Sequence, residues 1–308
     1  MSVIGPVTSP APDPSASVDL AELELSHYRP RTFFNTVLNL AVTGMTLLAL
    51  MPLFAVLWML IWRGGRKLSV ALFTELPPAP LEHGGGFGNA IIGTLVMVGL
   101  ATLITLPICI LTAVFVAQYK DSSLARAVKF SAKVLTGFPS ILAGVFAYEV
   151  VVLATDGYSA VAGGIALSIL MLPTVILTSE SAISMVPMKM KEASIGMGAT
   201  TTQTVWMVLL PAAMPGILTG VMLAIARAAG ETAPLLFTAL FSNYWLVTNG
   251  HPDLMQPTAS LAVLIYNFSA MPFANQVELA WAAALVLVIL VLVVNLIGQS
   301  FSGRRISQ

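Results

Sequence analysis

Residues 279–297 read LAWAAALVLVILVLVVNLI and contain no charged side chain. An α-helix needs about 20 apolar residues, at 1.5 Å each, to cross the hydrocarbon core of a bilayer. Five further apolar runs precede this one, at about residues 36–62, 89–118, 134–154, 160–177 and 205–240. The pattern predicts an all-α, polytopic membrane protein with six transmembrane helices.

The composition supports the same class of protein. Hydrophobic residues make up 57% of the chain and charged residues 9%, against about 25% charged residues in soluble domains. The formal net charge is zero, which argues against a basic nucleic-acid-binding surface. The single cysteine, Cys109, excludes a disulfide within the chain. The three histidines lie in polar segments without metal-ligand spacing, so we expect no metal site.

The distribution of basic residues predicts the orientation in the membrane. If the N-terminus is cytoplasmic, 10 of the 14 Lys and Arg residues fall in cytoplasmic segments, as the positive-inside rule requires. Three others, Arg63, Arg66 and Lys67, fall on the opposite side. We therefore expect a multi-pass protein of the inner or plasma membrane with both termini cytoplasmic. Its parts are a disordered tail at 1–34, a transmembrane domain at 35–303 and a short tail at 304–308.

The cytoplasmic stretch between the fourth and fifth runs, about 187–204, has its own pattern. It leads into the sequence EASIGMGATTTQTVWMVLLP at residues 192–211. Pro187 precedes a predicted short helix at about 188–197, and Gly198 is predicted to end it with a positive φ. By itself, such a segment also fits a plain amphipathic helix at the membrane interface.

Two charged residues lie within the fifth apolar run. Arg227 and Glu231 are four residues apart, which predicts that they share one helix face. A charge near the bilayer centre usually faces a pathway or a partner, and the guanidinium fork matches the oxygens of an oxyanion. The alternative is a purely structural pair. For two further acids, Glu149 and Glu180, the default expectation is a hydrogen bond to a neighbouring helix.

The segment at 192–211 resembles the permeases of ABC importers, which have Glu-Ala-Ala, a Gly and Ile-x-Leu-Pro at this spacing; Ser194 and Val208 are mild departures. Several further stretches resemble the PstA type, the permease of the phosphate-specific importer within the binding-protein-dependent transport system inner membrane component family. They are residues 72–75, 84–86, 139–141, 227–239 and 279–283. The resemblance runs from about residue 35 to the C-terminus.

The resemblance implies the ABC type I importer permease fold and a division of labour among subunits. A sister permease would form a heterodimer with this chain, two ATPase subunits would bind ATP, and an extracytoplasmic phosphate-binding protein would deliver the substrate. This chain would then be no enzyme and bind no cofactor. Glu192, Ala193 and Gly198 would belong to a coupling helix, with Ala193 and Ser194 allowing close contact with the ATPase and Glu192 pairing with it or capping the turn.

The resemblance also implies that Arg227 and Glu231 take part in phosphate passage. One departure concerns Leu177, which stands where the family often has an arginine. It keeps open a second cargo, another oxyanion such as phosphonate, phosphite, sulfate or molybdate.

An intramembrane enzyme would need a catalytic cluster at membrane depth, and a passive channel would need no ATPase-docking segment. Both are weaker interpretations.

Overall fold

The computed structural model describes residues 30–248 and 251–303. Residues 1–29, most of the predicted N-terminal tail, lie outside the described residues, as do 304–308. The first helix begins at Pro30 and so includes the last five residues of the predicted tail, 30–34. Up to Leu57 it belongs to a unit of its own, and the second unit starts at Trp58.

The described residues are almost entirely helical. The α-helices are α1 Pro30–Met59, α2 Gly65–Lys67, α3 Ala71–Thr74, α4 Gly88–Gln118, α5 Ser123–Thr136, α6 Ser140–Ala147, α7 Ala160–Ser184, α8 Met188–Gly196, α9 Thr201–Thr204, α10 Leu210–Ala229, α11 Ala233–Thr238, α12 Leu261–Ser269 and α13 Ala274–Gly303. Wider π-helical turns cover Leu60–Gly64, Tyr148–Val152 and Val205–Leu209. Strands β1 Val247–Thr248 and β2 His251–Pro252 form a short antiparallel pair with Thr248 opposite His251.

Within the described residues, five helical segments are long and apolar enough to cross a membrane, and a bent pair provides a sixth if it is one span. The segments are Thr32–Lys67, Gly88–Gln118, Ala160–Ser184, Thr201–Ala229 and Ala274–Ser300; the bent pair is Ser123–Thr136 with Ser140–Val152. The predicted all-α polytopic fold is confirmed, and the count of six holds when the bent pair is one span.

The bent pair corrects the prediction for the third span. The stretch between the second and third apolar runs, 119–133, was not predicted to be helical, but most of it forms the amphipathic helix α5, which meets α6 at an angle of 107°. Pro139 lies at the bend, and the α conformation is disfavoured for the residue before a proline, here Phe138. Gly137 ends α5 just before it. The membrane-directed part is therefore a short segment, α6 with its π turn.

Helix α7 is the centre of the bundle, with 61% of its most apolar window buried. Small residues allow its neighbours to approach closely. An added Cβ at Gly164 would lie 2.9 Å from Leu100 of α4, and one at Gly216 of α10 would lie 2.7 Å from Ala182. Gly220 is similarly closed off by Thr178. Helices α4 and α10 therefore pack directly on α7.

The segment after α11, which separates the fifth and sixth apolar runs, also contains regular structure. It holds the strand pair and α12, whose first turn is capped by the Ser260 hydroxyl accepting from the Val263 amide at 3.2 Å. The buried Asn89 of α4 donates its side-chain amide to the Ser242 carbonyl at 2.8 Å. The loop is thus tied to the bundle through its beginning as well as through α12.

Candidate functional site

Arg227 and Glu231 are in contact, although not on one continuous helix. The Arg227 Nε lies 3.3 Å from Glu231 Oε1. Helix α10 ends at Ala229, and the predicted single helix face is wrong because Gly230 turns the chain, its amide donating to the Arg227 carbonyl at 3.1 Å. The Glu231 amide then donates to the Ala228 carbonyl at 3.2 Å. This tight turn keeps the carboxylate beside the guanidinium.

The register of α10 against α7 gives the position of the Arg227–Glu231 pair along the axis of the helix bundle. Gly216 lies against Ala182 and Gly220 against Thr178, so the two helices run antiparallel. Continued at the same step, this register brings Arg227 to the level of Met171, close to the middle of α7. A charged group at this level, among spans of mean hydropathy above 2, is costly unless it faces water or a partner.

The Arg227 side chain is on the open face of α10. It is 45% exposed, whereas the Glu231 side chain is 18% exposed. Thr219 and Leu223 are exposed on the same line, at the four-residue spacing of one helix face. Only Nε of Arg227 has a partner among the described residues, so both terminal amino groups are available as donors. The pair can therefore present a positive edge to an anion.

The chain beyond the pair is held rigidly between α6 and α7. A Cβ added to Gly144 of α6 would lie 2.6 Å from the Pro234 Cα in α11. The Thr238 hydroxyl donates to the Pro234 carbonyl at 2.8 Å, and the Ser159 amide donates to the Thr238 carbonyl at 3.0 Å. The break at Gly230 is thus fixed by packing on its far side, which limits how far Glu231 can move.

The second part of the candidate site is the segment from Pro187 to Thr204. Pro187 precedes α8, Met188–Gly196, and Gly198 has a φ of +87°, so the predicted short helix and its glycine stop are confirmed. Thr200 and Gln203 then form a reciprocal capping box at the start of α9. Only four residues, 197–200, separate α8 from α9, and the capping box fixes the start of α9.

The division of the α8 side chains into exposed and buried ones differs from the prediction. Glu192 and Ala193 are exposed, and Glu192 makes no hydrogen bond or ion pair with another described residue, so it does not cap the turn. Ser194 is 3% exposed and its hydroxyl lies 3.0 Å from that of Thr204. The expectation that Ser194 contacts a partner is therefore wrong, because it packs inward between α8 and α9.

The outer surface of this segment and of the π turn that follows it carries several large apolar side chains beside exposed Lys189 and Glu192, which the sequence reasoning missed. The large exposed hydrophobic side chains are Met188, Met190, Ile195, Met197, Trp206 and Met207. Methionine is flexible and polarisable, and it is common on adaptable binding surfaces. The recurrence of methionine at 188, 190 and 197 was the available signal. On the inner side, the Lys191 ammonium donates to Gln118 Oε1 at 2.8 Å and ties α8 to the end of α4.

The two remaining acids have different environments. Glu180 is 6% exposed; its carboxylate lies 2.8 Å from the Lys129 ammonium of α5 and accepts from the Ser184 hydroxyl at 3.2 Å. The expected bond to a neighbouring helix is thus confirmed there as an ion pair. Glu149 is exposed in the π turn after α6 and has no partner among the described residues, so the same expectation is wrong for it. Leu177 packs against the core.

The chain is similar to known membrane transport components. Residues 109–307 match the family model of the binding-protein-dependent transport system inner membrane component. The chain is 40% identical to the phosphate transport system permease protein PstA of Yersinia pestis over 83% of this chain and 86% of that protein. It is 39% identical to that of Haemophilus influenzae over 91% and 98%. It is also 34% identical to the probable phosphate transport system permease protein PstA of Methanocaldococcus jannaschii, over 88% of this chain and 94% of that protein.

Solved structures resemble the fold. A chain of a bacterial alginate ABC transporter, in complex with an alginate pentasaccharide-bound periplasmic protein, matches with a TM-score of 0.63 at 16% identity, over 91% of this chain and 98% of that one. A chain of the inward-facing MetNI methionine ABC transporter matches with a TM-score of 0.55 at 22% identity, over 71% and 94%. At these identities the resemblance concerns the fold alone.

Proposed function

Because this chain belongs to the family of binding-protein-dependent transport system inner membrane components, we propose that it is a permease subunit of an ATP-driven importer that moves inorganic phosphate into the cell. The curated relatives that carry the phosphate assignment extend over most of both chains. The relatives reported above are phosphate transport system permeases, and phosphate is accordingly the cargo we propose.

The observation that carries the proposal is the exposed guanidinium of Arg227 near the mid-height of an apolar bundle. Its terminal amino groups are unengaged among the described residues, and they match the geometry of phosphate oxygens. In lipid such a group would be unstable, so we infer that the face with Thr219 and Leu223 lines an aqueous pathway.

Glu231 gives this contact a means of release. Its carboxylate balances Arg227 while the pathway is empty, and it repels an arriving anion. Conduction requires binding that is favourable enough for entry and weak enough for exit. With Nε engaged at 3.3 Å and the terminal amino groups open, Arg227 can hold a phosphate ion transiently without losing its counter-charge.

Coupling to ATP hydrolysis would begin at α8. We propose that its exposed residues, Glu192 and Ala193 with the surrounding methionines, dock on a separate ATPase subunit, which binds the ATP, and that Gly198 shapes the exit of the chain. The Ser194–Thr204 contact links α8 to the continuous segment Thr201–Ala229. That segment contains Arg227 near its end, and Glu231 follows two residues after it, so a movement of α8 would reach the charge pair through this segment.

The remaining partners follow from the same architecture. A single row of exposed residues on α10 encloses no pore, so a sister permease would complete the pathway in a heterodimer, and each permease would take one of two ATPase subunits. An extracytoplasmic phosphate-binding protein would dock on the face opposite α8, consistent with the family description. We place both termini in the cytoplasm because the basic residues favour that orientation.

ATP-driven uptake of labelled phosphate in proteoliposomes tests the proposal. Arg227→Gln should abolish most of the uptake while ATPase subunits still co-purify, and Arg227→Lys should retain part of it, since charge remains but the fork is lost. Unlabelled phosphate should compete, whereas sulfate, molybdate, phosphite and phosphonate should not. Unchanged uptake in Arg227→Gln would contradict the role of the charge pair. Competition by another oxyanion alone would contradict the cargo.

A further inference from the structure

Three basic side chains converge on one cleft at the end of the first span. Arg63, Arg66 and Lys67 lie in the π turn and in α2, and Glu278 of α13 closes the opposite side of a cleft of about 420 Å³. Three cations against one carboxylate leave an excess of two positive charges. These residues are also the three that depart from the positive-inside distribution, so a function is needed to explain them.

The two arginines are oriented with their donors free. The Arg66 Cζ lies 4.2 Å from the centre of the Trp62 ring, and the Arg63 Cζ lies 5.7 Å from that of Trp281. An aromatic contact uses the face of the guanidinium and leaves its edge for hydrogen bonds. Neither arginine has a carboxylate within salt-bridge distance among the described residues; only Lys67 does, with Glu278 at 2.7 Å.

A second groove, lined almost entirely by apolar side chains, also lies on α13. This groove, of about 700 Å³, starts at Leu68, directly after Lys67, and runs between α4 and α13; its walls include Phe73, Ile91, Leu95, Ile289 and Val293. On α13, the groove residues lie about 12 to 24 Å beyond Glu278 at 1.5 Å per residue. This matches half a bilayer, about 20 Å from headgroup to midplane.

We propose that the cleft and the groove together bind one anionic phospholipid. Its phosphate would accept hydrogen bonds from Arg63 and Arg66, and an acyl chain would lie along the groove. The tryptophans Trp62 and Trp281, with Trp58 stacked on Trp62 at 6.1 Å, provide the amphipathic rings that favour the membrane–water interface. The excess charge selects an anionic headgroup over a zwitterionic one.

The test is the retention of lipid by the purified full-length protein, measured by native mass spectrometry. Phosphatidylglycerol should be retained over phosphatidylethanolamine. In the variant Arg63→Gln/Arg66→Gln, this retention should fall about tenfold or more. The matched control Lys133→Gln/Lys189→Gln removes two exposed cations outside the cleft and should leave retention unchanged. Equal retention in the cleft variant and the native protein would overturn the proposal.

Further measurements distinguish the other possible occupants of the cleft and the groove. Ile289→Trp, which fills the groove, should reduce retention of diacyl phosphatidylglycerol more than that of its lyso form; an equal effect on both would overturn the acyl-chain assignment. If the cleft variant instead loses binding of inorganic phosphate and keeps the lipid, the cleft serves the free anion. A cysteine introduced at Val293 that cross-links to another polypeptide of the assembled transporter would assign the groove to protein.

Discussion

Replacing Lys129 by methionine would leave the carboxylate of Glu180 buried without its counter-charge. The pair measures 2.8 Å, and the Glu180 side chain is only 8% exposed. Removing one partner of a fully buried pair costs roughly 3–5 kcal/mol. Lys129 is 39% exposed and Ser184 still donates to Glu180, so we expect a loss of about 2 kcal/mol.

The assay is thermal unfolding of the purified protein in detergent. With an unfolding entropy of about 2.1 cal/mol/K per residue over 308 residues, a loss of this size should lower Tm by about 3 °C. Lys133→Met is the matched control, because Lys133 lies on the same helix, is exposed and has no carboxylate partner among the described residues; its Tm should not move. Adding Glu180→Gln to Lys129→Met should restore part of the loss. An unchanged Tm for Lys129→Met, or additive effects in the double variant, would refute the reasoning.

Two further predictions concern the coupling segment. Gly198→Ala places a Cβ at a φ of +87°, which costs roughly 1 kcal/mol or more, and should lower co-purification with the ATPase subunit about fivefold. The control Gly196→Ala, whose added Cβ meets no atom within 4 Å, should leave co-purification unchanged. Equal effects of the two variants would contradict the role of the turn. Ser194→Ala leaves the buried Thr204 hydroxyl without its partner, so we expect the free energy of unfolding to fall by about 1–2 kcal/mol. Thermal or denaturant unfolding measures this loss, and an unchanged free energy of unfolding would show that the contact is dispensable.

The sequence was sufficient for features that depend on local chemistry. Apolar run length predicts the spans, and the stop at Gly198 follows from the conformational freedom of glycine. The contact between Arg227 and Glu231 was predicted from their four-residue spacing, although a turn at Gly230 and not a continuous helix makes it.

Features that depend on distant neighbours were not predictable from one sequence. Lys129 and Glu180 are 51 positions apart, and no periodic pattern links them. Ser194 faces inward only because α9 returns beneath α8. The mid-height position of Arg227 comes from the glycine contacts between α10 and α7, which need the packed helices.

The central claim is that the Arg227 face of α10 lines an aqueous anion pathway, and cysteine labelling tests it most directly. In a Cys109→Ala background, Leu223→Cys keeps Arg227 and puts a thiol one turn away on the same exposed face; Ala224→Cys, at a position that is 1% exposed, is the control. In the assembled transporter, a negatively charged thiol reagent should modify Leu223→Cys faster than a positively charged one, and phosphate should slow the reaction. A Leu223→Cys thiol as unreactive as that of Ala224→Cys would contradict the pathway.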